Sequence, residues 1–299
     1  MKLVLYDDYR LGLLRDDGVV DCADLVAGLG ASVRDRVEAL IGGFDLLRPG
    51  LQERLASGRA IPLAAVRLRA PDPEPRKILC AFASYREEGR VKQIPPNPDY
   101  FLKSPQAVIG PEETVVLPDR NDVIVFQPEA ELGVVMARRA QGVSPHEALD
   151  YVFGYVPFID VSARGNLPAT QFERKSWDTF APLGPCIVTA DEIADPNKLQ
   201  VRLWVSGVLR QDYNTDDAQF PVARMVSFAS SVTTLMPGDV LAMGTNHKGL
   251  GPMNDGDQIE LEIERIGRLR VGVRNLGTPK NAYWRPPVYG DEPGFGVRP

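Results

Sequence analysis

Glycine and proline punctuate this chain from end to end: 27 glycines and 26 prolines among 299 residues, spread along the sequence rather than clustered. Proline removes a backbone donor and glycine loosens the element it sits in, so long uninterrupted helices are poor solutions. What fits is a chain of many turns and short strands. A helical bundle, a coiled coil and a collagen-like repeat are excluded. Disorder is excluded as well, because 44% of the residues are hydrophobic and only 25% charged. The length allows one large domain or two modest ones, with a core that needs no disulfide or metal to hold it.

Charge narrows the function classes. The formal net charge is −6, and the basic residues stand singly or in pairs. No basic face or stripe of the kind that tracks nucleic acid is present. The three cysteines, Cys22, Cys80 and Cys186, have no CxxC spacing, so they read as buried reduced thiols of a cytosolic protein. The opening MKLVLYDDYRLG carries two aspartates where a secretion signal needs an apolar run. No apolar stretch approaches the ~18 residues of a membrane span. A soluble cytoplasmic protein with no nucleic-acid or membrane partner is expected.

The N-terminal region reads as a meander. Leu3, Leu5 and Tyr6 lead into Asp7-Asp8, then Leu11 to Leu14, a second turn at Asp16-Asp17-Gly18, and Val19-Val20. Between 32 and 57, Val33, Val37, Leu40 and Ile41 are spaced for a helix face, which Leu51 and Leu55 repeat weakly. Pro71, Pro73 and Pro75 then alternate with charges, which neither a helix nor a central strand accepts. A boundary belongs there, dividing a small domain, 1–72, from a larger one, 73–299.

The larger domain is predominantly strand. Candidates are Ile78–Phe82, Thr114–Leu117, Val123–Phe126, Ala130–Met136, Phe153–Asp160, Gly184–Thr189, Gln200–Val205, Val240–Met243, Gln258–Ile263 and Leu269–Arg274. Two helices are expected, Ser144–Tyr151 and Pro221–Leu235, the second with Val222, Met225, Val226 and Ala229 on one face. The fold class is mainly β, of α+β type.

The segment that bears on chemistry is VIVFQPEAELGVVMARRA. On a strand, Glu129 and Glu131 share a face about 7 Å apart, at the mouth of an otherwise apolar stretch. Two carboxylates there need a cation between them, or burial neutralises one, or both face water at a frayed strand start. VFGYVPFIDVSARG is a second apolar strand, ending in Asp160 before a small-residue loop with Arg164. Taken alone, Asp160 reads as a cap or turn residue. Taken with the two glutamates, it completes three oxygen ligands suited to Mg2+ or Mn2+ and less suited to zinc.

The run ERKSWDTFAPLGPCIVT reads by itself as a surface turn with a tucked tryptophan. In MPGDVLAMGTNHKGLGPMNDGD a strand runs into a glycine-rich loop. It lacks the order of a P-loop, and AGLGAS near the start lacks the strand context of a dinucleotide fingerprint. Such a loop can still offer backbone amides to an anion.

These four segments, in this order and with YFLKSPQAVIGPEETVVLP upstream, resemble the fumarylacetoacetate hydrolase family from about Ile78 to Arg274. The N-terminal region resembles the extra domain of its longer members. The resemblance implies a mixed β-sandwich roll with a small N-terminal α+β domain, a homodimer, and a magnesium or manganese ion held by Glu129, Glu131 and Asp160. It places the family's active-site lysine on Lys175 and its loop threonine on Thr245. Arg164, Tyr85 and Asn246 are the candidate substrate-binding residues.

The chain also departs from the family pattern. Hydrolytic members usually carry Asn-Tyr-x-x-His with a glutamate three residues later. Here the segment is Ser84-Tyr85-Arg86-Glu87-Glu88, with Glu88 in the histidine's place and Val91 in the glutamate's. Leu167 stands where a glutamine often follows Asp160 and Arg164, and Asn166 is the nearest amide. Only two histidines exist. His146 reads as a surface or capping residue. His247, two residues beyond Thr245, is either a displaced base or a loop residue. Glu88 or its neighbour Glu87, if burial raises the carboxyl toward neutrality against the pull of Arg86, and His247 are therefore the candidate bases beside Lys175 and Thr245.

The implied activity is metal-dependent hydrolysis of a C–C bond in a 2,4-dioxo acid, an acylpyruvate, whose small anionic substrate the ion would chelate. Decarboxylation or tautomerisation of a 2-oxo acid is the alternative, because it needs no base to activate water. A non-catalytic metal- or acid-binding protein is the third reading. Residues 83–105, polar and proline-bearing, read as a lid. Its Arg86, Arg90 and Lys92 either greet the substrate or are simply solvated. In the tail, Tyr283, Trp284, Tyr289 and Phe295 suggest packing on the body or on a second subunit.

Overall fold

A computed structural model describes residues 1–16, 18–87, 94–167 and 170–280. The N-terminal region forms β1 (Lys2–Tyr6), β2 (Arg10–Arg15), β3 (Gly18–Asp21), α1 (Val33–Gly42), α2 (Phe44–Ser57), β4 (Ala60–Ile61) and β5 (Leu68–Arg69). There follow β6 (Ile78–Phe82), β7 (Asp99–Lys103), β8 (Val108–Ile109), β9 (Thr114–Leu117), β10 (Val123–Met136) and β11 (Val152–Gly165). After these come α3 (Gln171–Lys175), β12 (Ala181–Pro182), β13 (Ile187–Thr189), β14 (Gln200–Val205), β15 (Val208–Asn214) and α4 (Val222–Val232). The last elements are β16 (Val240–Ala242), β17 (Gln258–Ile263) and β18 (Gly267–Asn275).

Two sheets account for nearly all of these strands. One runs β4-β3-β2-β1-β13-β11-β10-β16-β6-β7, with β5 against β1, and the other β15-β14-β17-β18-β9. The long strands β10 and β11 pack across onto β14, β17 and β18, which gives the sandwich its core. A short parallel pair, β8 and β12, forms a third, small sheet against β11. The region before Pro71 extends the first sheet, because β1 pairs with β13. The terminal ammonium of Met1 supports that pairing by donating to Thr189 Oγ1 at 2.6 Å.

Local chemistry explains where the elements fall. Between 32 and 57 there are two helices broken at Gly43, the first opened by Ser32 and Asp35 in a reciprocal cap. The helix expected over Ser144–Tyr151 is a single 3-10 turn, Ala148–Tyr151. So short a segment cannot offset helix nucleation, and the chain enters β11 at once. α4 stops at Val232 because Leu235 exchanges both backbone bonds with Ala140.

Val123–Phe126 and Ala130–Met136, which the sequence separates at Pro128, form one strand. Pro128 is tolerated because β10 pairs with β16 only through Gly133–Val135. One edge of the strand therefore carries no ladder beside the proline. Six strands escape the sequence pattern, the two-residue β4, β5, β8 and β12 and the longer β7 and β15. The buried side chains of β15 are Gln211 and Tyr213, and that of β7 is Lys103, so neither shows an apolar alternation.

Cys22, Cys80 and Cys186 are free and buried. Among the described residues no helix is long and apolar enough to cross a membrane. Where the chain leaves β5, Asp72 is buried and accepts, among the described residues, the Glu74 N–H at 3.3 Å. Burial, with Glu38 and Asp239 nearby, pushes its carboxyl up to about 7.

Between the ordinary carboxylate range and about pH 7, the folded state binds this proton more tightly than the unfolded state does. Stability is therefore lost as pH rises through that window, by up to about 4 kcal/mol at the usual energy per pKa unit. Asp72→Asn should abolish that slope in urea unfolding compared at pH 5, 6, 7 and 8. An unchanged slope would show that Asp72 is not its source.

Candidate active site

In β10 the side chains of Glu129 and Glu131 face one way, and the antiparallel register sets Asp160 of β11 directly across from Glu129. Cross-strand partners share a face, so three carboxylates converge. One oxygen from each lies within 4.8 Å of the others, and all three residues are buried. α3, packed on β11 and β7, delivers Lys175. Its Nζ donates to Glu129 Oε2 at 2.7 Å and to Asp160 Oδ2 at 2.5 Å. Arg164 donates to the other oxygen of Glu129. Lys103 Nζ donates to Asp160 Oδ1 at 2.6 Å and also to the carbonyl of Lys175.

The charges are unevenly shared. Burial would raise the Glu129 carboxyl, but Lys175 and Arg164 hold it well below the usual range. Burial would likewise lower the Lys175 ammonium, but Asp160 and Glu129 carry it above its ordinary value. Glu131 is different. Burial and the adjacent Asp160 push it well above the carboxylate range. Its Oε2 accepts the backbone N–H of Gly244 at 2.8 Å, while the cations described here reach Glu129 and Asp160. An all-oxygen set with one carboxylate short of positive charge fits a hard divalent cation such as Mg2+ or Mn2+.

The loop after β16 closes the site. From Gly244, on Glu131, it runs through Thr245 and Asn246 to His247. Gln211 of β15 pins it, donating to Thr245 Oγ1 at 2.8 Å and to the Asn246 carbonyl at 2.6 Å. The same side chain accepts from Ala130 N at 3.0 Å, and Tyr213 donates its hydroxyl to the Ala130 carbonyl at 2.5 Å. These two side chains satisfy the open edge of β10 between the two glutamates. His247 Nδ1 lies 2.5 Å from Glu87 Oε1, and charge on His247 bears on Glu129.

The remaining candidates fall as follows. Tyr85 is buried, its ring edge-on to Tyr213 with centroids 5.0 Å apart. Asn246 donates to Asp217 Oδ2 at 2.8 Å and accepts from Lys248 N at 2.9 Å. His146 is exposed. Glu88, Arg90, Val91 and Lys92, and the tail aromatics Tyr283, Trp284, Tyr289 and Phe295, lie outside the described residues. Lys103 and Gln211 are not singled out as site residues by the sequence, whereas Glu87 is weighed there beside Glu88 as a base. For Lys103 there was a signal: a lysine closing the otherwise apolar Tyr100-Phe101-Leu102 in a segment that matched the family.

Comparison with known proteins finds relatives over most of the chain. Residues 77–274 match the family model described as fumarylacetoacetate (FAA) hydrolase, C-terminal. A maleylpyruvate hydrolase of Aquipseudomonas alcaligenes is 35% identical over 92% of this chain and 100% of its own length. A mitochondrial oxaloacetate tautomerase of Bos taurus, FAHD2B, is 30% identical over 84% of this chain and 82% of its own. Among solved structures, maleylpyruvate hydrolase from Sphingobium sp. SYK-6, in complex with manganese(II) and pyruvate, superposes with a TM-score of 0.84. It is 36% identical and covers 93% of this chain and 100% of that one.

Proposed function

The chain belongs to the fumarylacetoacetate hydrolase family, and on that premise we propose that it is a divalent-metal-dependent hydrolase of acylpyruvates, cleaving a C–C bond in a 2,4-dioxo acid of the maleylpyruvate type. The buried charge cluster carries the reading. Lys103, Arg164 and Lys175 pair with Glu129 and Asp160, and with Glu131 ionised, as a bound cation requires, the six formal charges cancel. A divalent cation added to them leaves the pocket two charges positive, which a dianionic dioxo acid would neutralise. The relatives' names, maleylpyruvate hydrolase twice over, point to the same substrate class.

Glu129, Glu131 and Asp160 would hold Mg2+ or Mn2+, which when bound supplies Lewis acidity to the 2-oxo acid end of the substrate. Lys175 commits two of its three N–H donors to Glu129 and Asp160. The third is left for oxyanion charge that develops during cleavage. Thr245 is fixed by Gln211, which donates to its Oγ1, and would turn its O–H toward the substrate. Arg164 adds a cation for the substrate carboxylate while it orients Glu129. Tyr85 and Asn246 would line the pocket wall on the side of His247. Burial of every charged group keeps water from competing for these bonds.

A homodimer belongs to this reading. Leu102 and Phe172, 62% and 71% exposed on β7 and α3 beside the site, are apolar side chains that a second subunit would cover. Sedimentation equilibrium would show a dimer of this chain. A cytoplasmic location suits its three free thiols.

NMR-followed turnover tests the function, with acylpyruvates and oxaloacetate as substrates and Mn2+ or excess EDTA present. Pyruvate and a carboxylic acid should appear from an acylpyruvate with Mn2+ and not with EDTA. Turnover of oxaloacetate alone would make the protein a tautomerase or lyase, as its bovine relative is named. Mn2+ binding without turnover of any dioxo acid would leave a binding protein.

A further inference from the structure

Glu87 and His247 are 160 positions apart in the chain, and their side chains, about nine-tenths buried, meet at 2.5 Å. Their meeting is built by the segment 217–219. Asp217 Oδ2 accepts from the Glu87 N–H at 2.9 Å and from Asn246 Nδ2 at 2.8 Å, so one carboxylate oxygen ties the two loops together. The Asp217 carbonyl takes the Arg86 N–H at 2.9 Å. Gln219 holds the preceding turn, donating Nε2 to the carbonyls of Ala83 and Tyr85 at 2.6 and 2.9 Å. Ser84 Oγ donates to the Met243 carbonyl at 2.7 Å, from the loop's other side.

The backbone of this turn is strained. Ala83 and Glu87 both stand in the left-handed region, at φ 46° and 55°. Non-glycine residues persist there only where the surroundings over-determine them, and such positions gather at functional sites. His247 in turn lies three residues from Gly244, whose N–H is bonded to Glu131.

We infer that Glu87 and His247 form the water-activating pair of this enzyme, and that Asp217 positions both members of it. The inference rests on the hydrolase reading above. With Nδ1–H donated to the Glu87 carboxylate, the imidazole presents the Nε2 lone pair to a water. Nε2 takes a proton from that water as its oxygen attacks C4 of the dioxo acid. The C3–C4 bond breaks, its electron pair passes into the enolate of pyruvate, and the acyl fragment leaves as a carboxylic acid. The proton held on His247 goes to C3 of the enolate, so one water is consumed and no proton is left over. Asp217 touches no reacting atom and is a positioning residue.

Three kinetic results are expected with Mn2+ and an acylpyruvate. His247→Ala lowers kcat by about 100- to 10,000-fold with KM and the Mn2+ Kd within about threefold of wild type, and added imidazole restores part of the lost rate. Glu87→Gln lowers kcat by about tenfold or more with the same two constants unmoved. Asp217→Ala lowers kcat similarly, whereas Asp217→Asn, which keeps an acceptor oxygen at the same reach, retains most of it. Wild-type kcat in His247→Ala or Glu87→Gln overturns the pair while leaving the hydrolase reading standing.

A readout without turnover separates the two failures. Because the chain has only two histidines, 15N-edited spectra of the imidazoles resolve His247 from His146. The Nδ1–H tautomer with a hydrogen-bonded proton is expected in wild type and lost in Glu87→Gln. An Nε2–H tautomer indifferent to Glu87→Gln overturns the pair whatever the substrate proves to be. Absence of acylpyruvate cleavage by wild type, with the Nδ1–H tautomer present, overturns the hydrolase reading and with it the water-activating role, while the hydrogen-bonded pair itself stands.

Discussion

Lys175→Met is expected to destabilise the metal-free protein by about 3–5 kcal/mol, the usual cost of removing one member of a buried ion pair. Saturating Mn2+ should restore most of that loss, yet turnover should stay abolished. Lys175 Nζ is the cation shared by Glu129 and Asp160, and its side chain is almost wholly buried. Without it, two desolvated carboxylates face each other with only Arg164 and Lys103 at their outer oxygens. A divalent ion bound only by the folded state replaces the missing charge and stabilises by mass action. It cannot replace the N–H donor that the mechanism assigns to developing oxyanion charge. Urea unfolding in EDTA and in Mn2+, beside kcat under the latter condition, measures both halves. Equal destabilisation with and without Mn2+ would mean that Lys175 acts through packing rather than charge.

Glu129→Gln and Glu131→Gln should move metal-free stability in opposite directions, although the two residues share one face of β10. Glu129 is held ionised by Lys175 and Arg164. Its contribution is present above the ordinary carboxylate range and lost as pH falls through it. Glutamine there leaves buried cations short of a partner and costs about 3 kcal/mol or more at pH 7.

Glu131 is pushed up by burial and by Asp160, so its ionised form opposes folding and increasingly so as pH rises. Glutamine there keeps an acceptor for the Gly244 N–H and should be worth about 1 kcal/mol of added stability, on the scale of relieving a poorly compensated buried group. Its advantage should be larger at pH 8 than at pH 5. Both variants should lose Mn2+ affinity by about 100-fold or more, beyond the usual effect of changing residues that only orient a ligand. Parallel losses of stability would show that the cations are shared evenly, against the geometry.

Much of the fold was legible because its strands bury apolar side chains at period two. β6, β9, β14 and β17 have the limits that apolar alternation gives them. β7 and β15 were not legible, since their inward residues are Lys103, Gln211 and Tyr213. A pattern that scores hydrophobicity passes over a strand whose buried side is polar. Those polar side chains are the ones that organise the site, through Asp160, Thr245, Asn246 and Ala130.

The sequence by itself determined that Glu129 and Glu131 share a strand face, because side chains alternate along any extended chain. It determined too that the familiar histidine is missing from the Ser84-Tyr85 segment. Only the tertiary structure decided that Asp160 stands opposite Glu129, because register depends on the pairing of two strands. Only it decided which cation serves which carboxylate, and that His247 meets Glu87 across 160 positions. Local sequence sets the direction in which a side chain points, whereas the partner it meets is set by how distant segments pack.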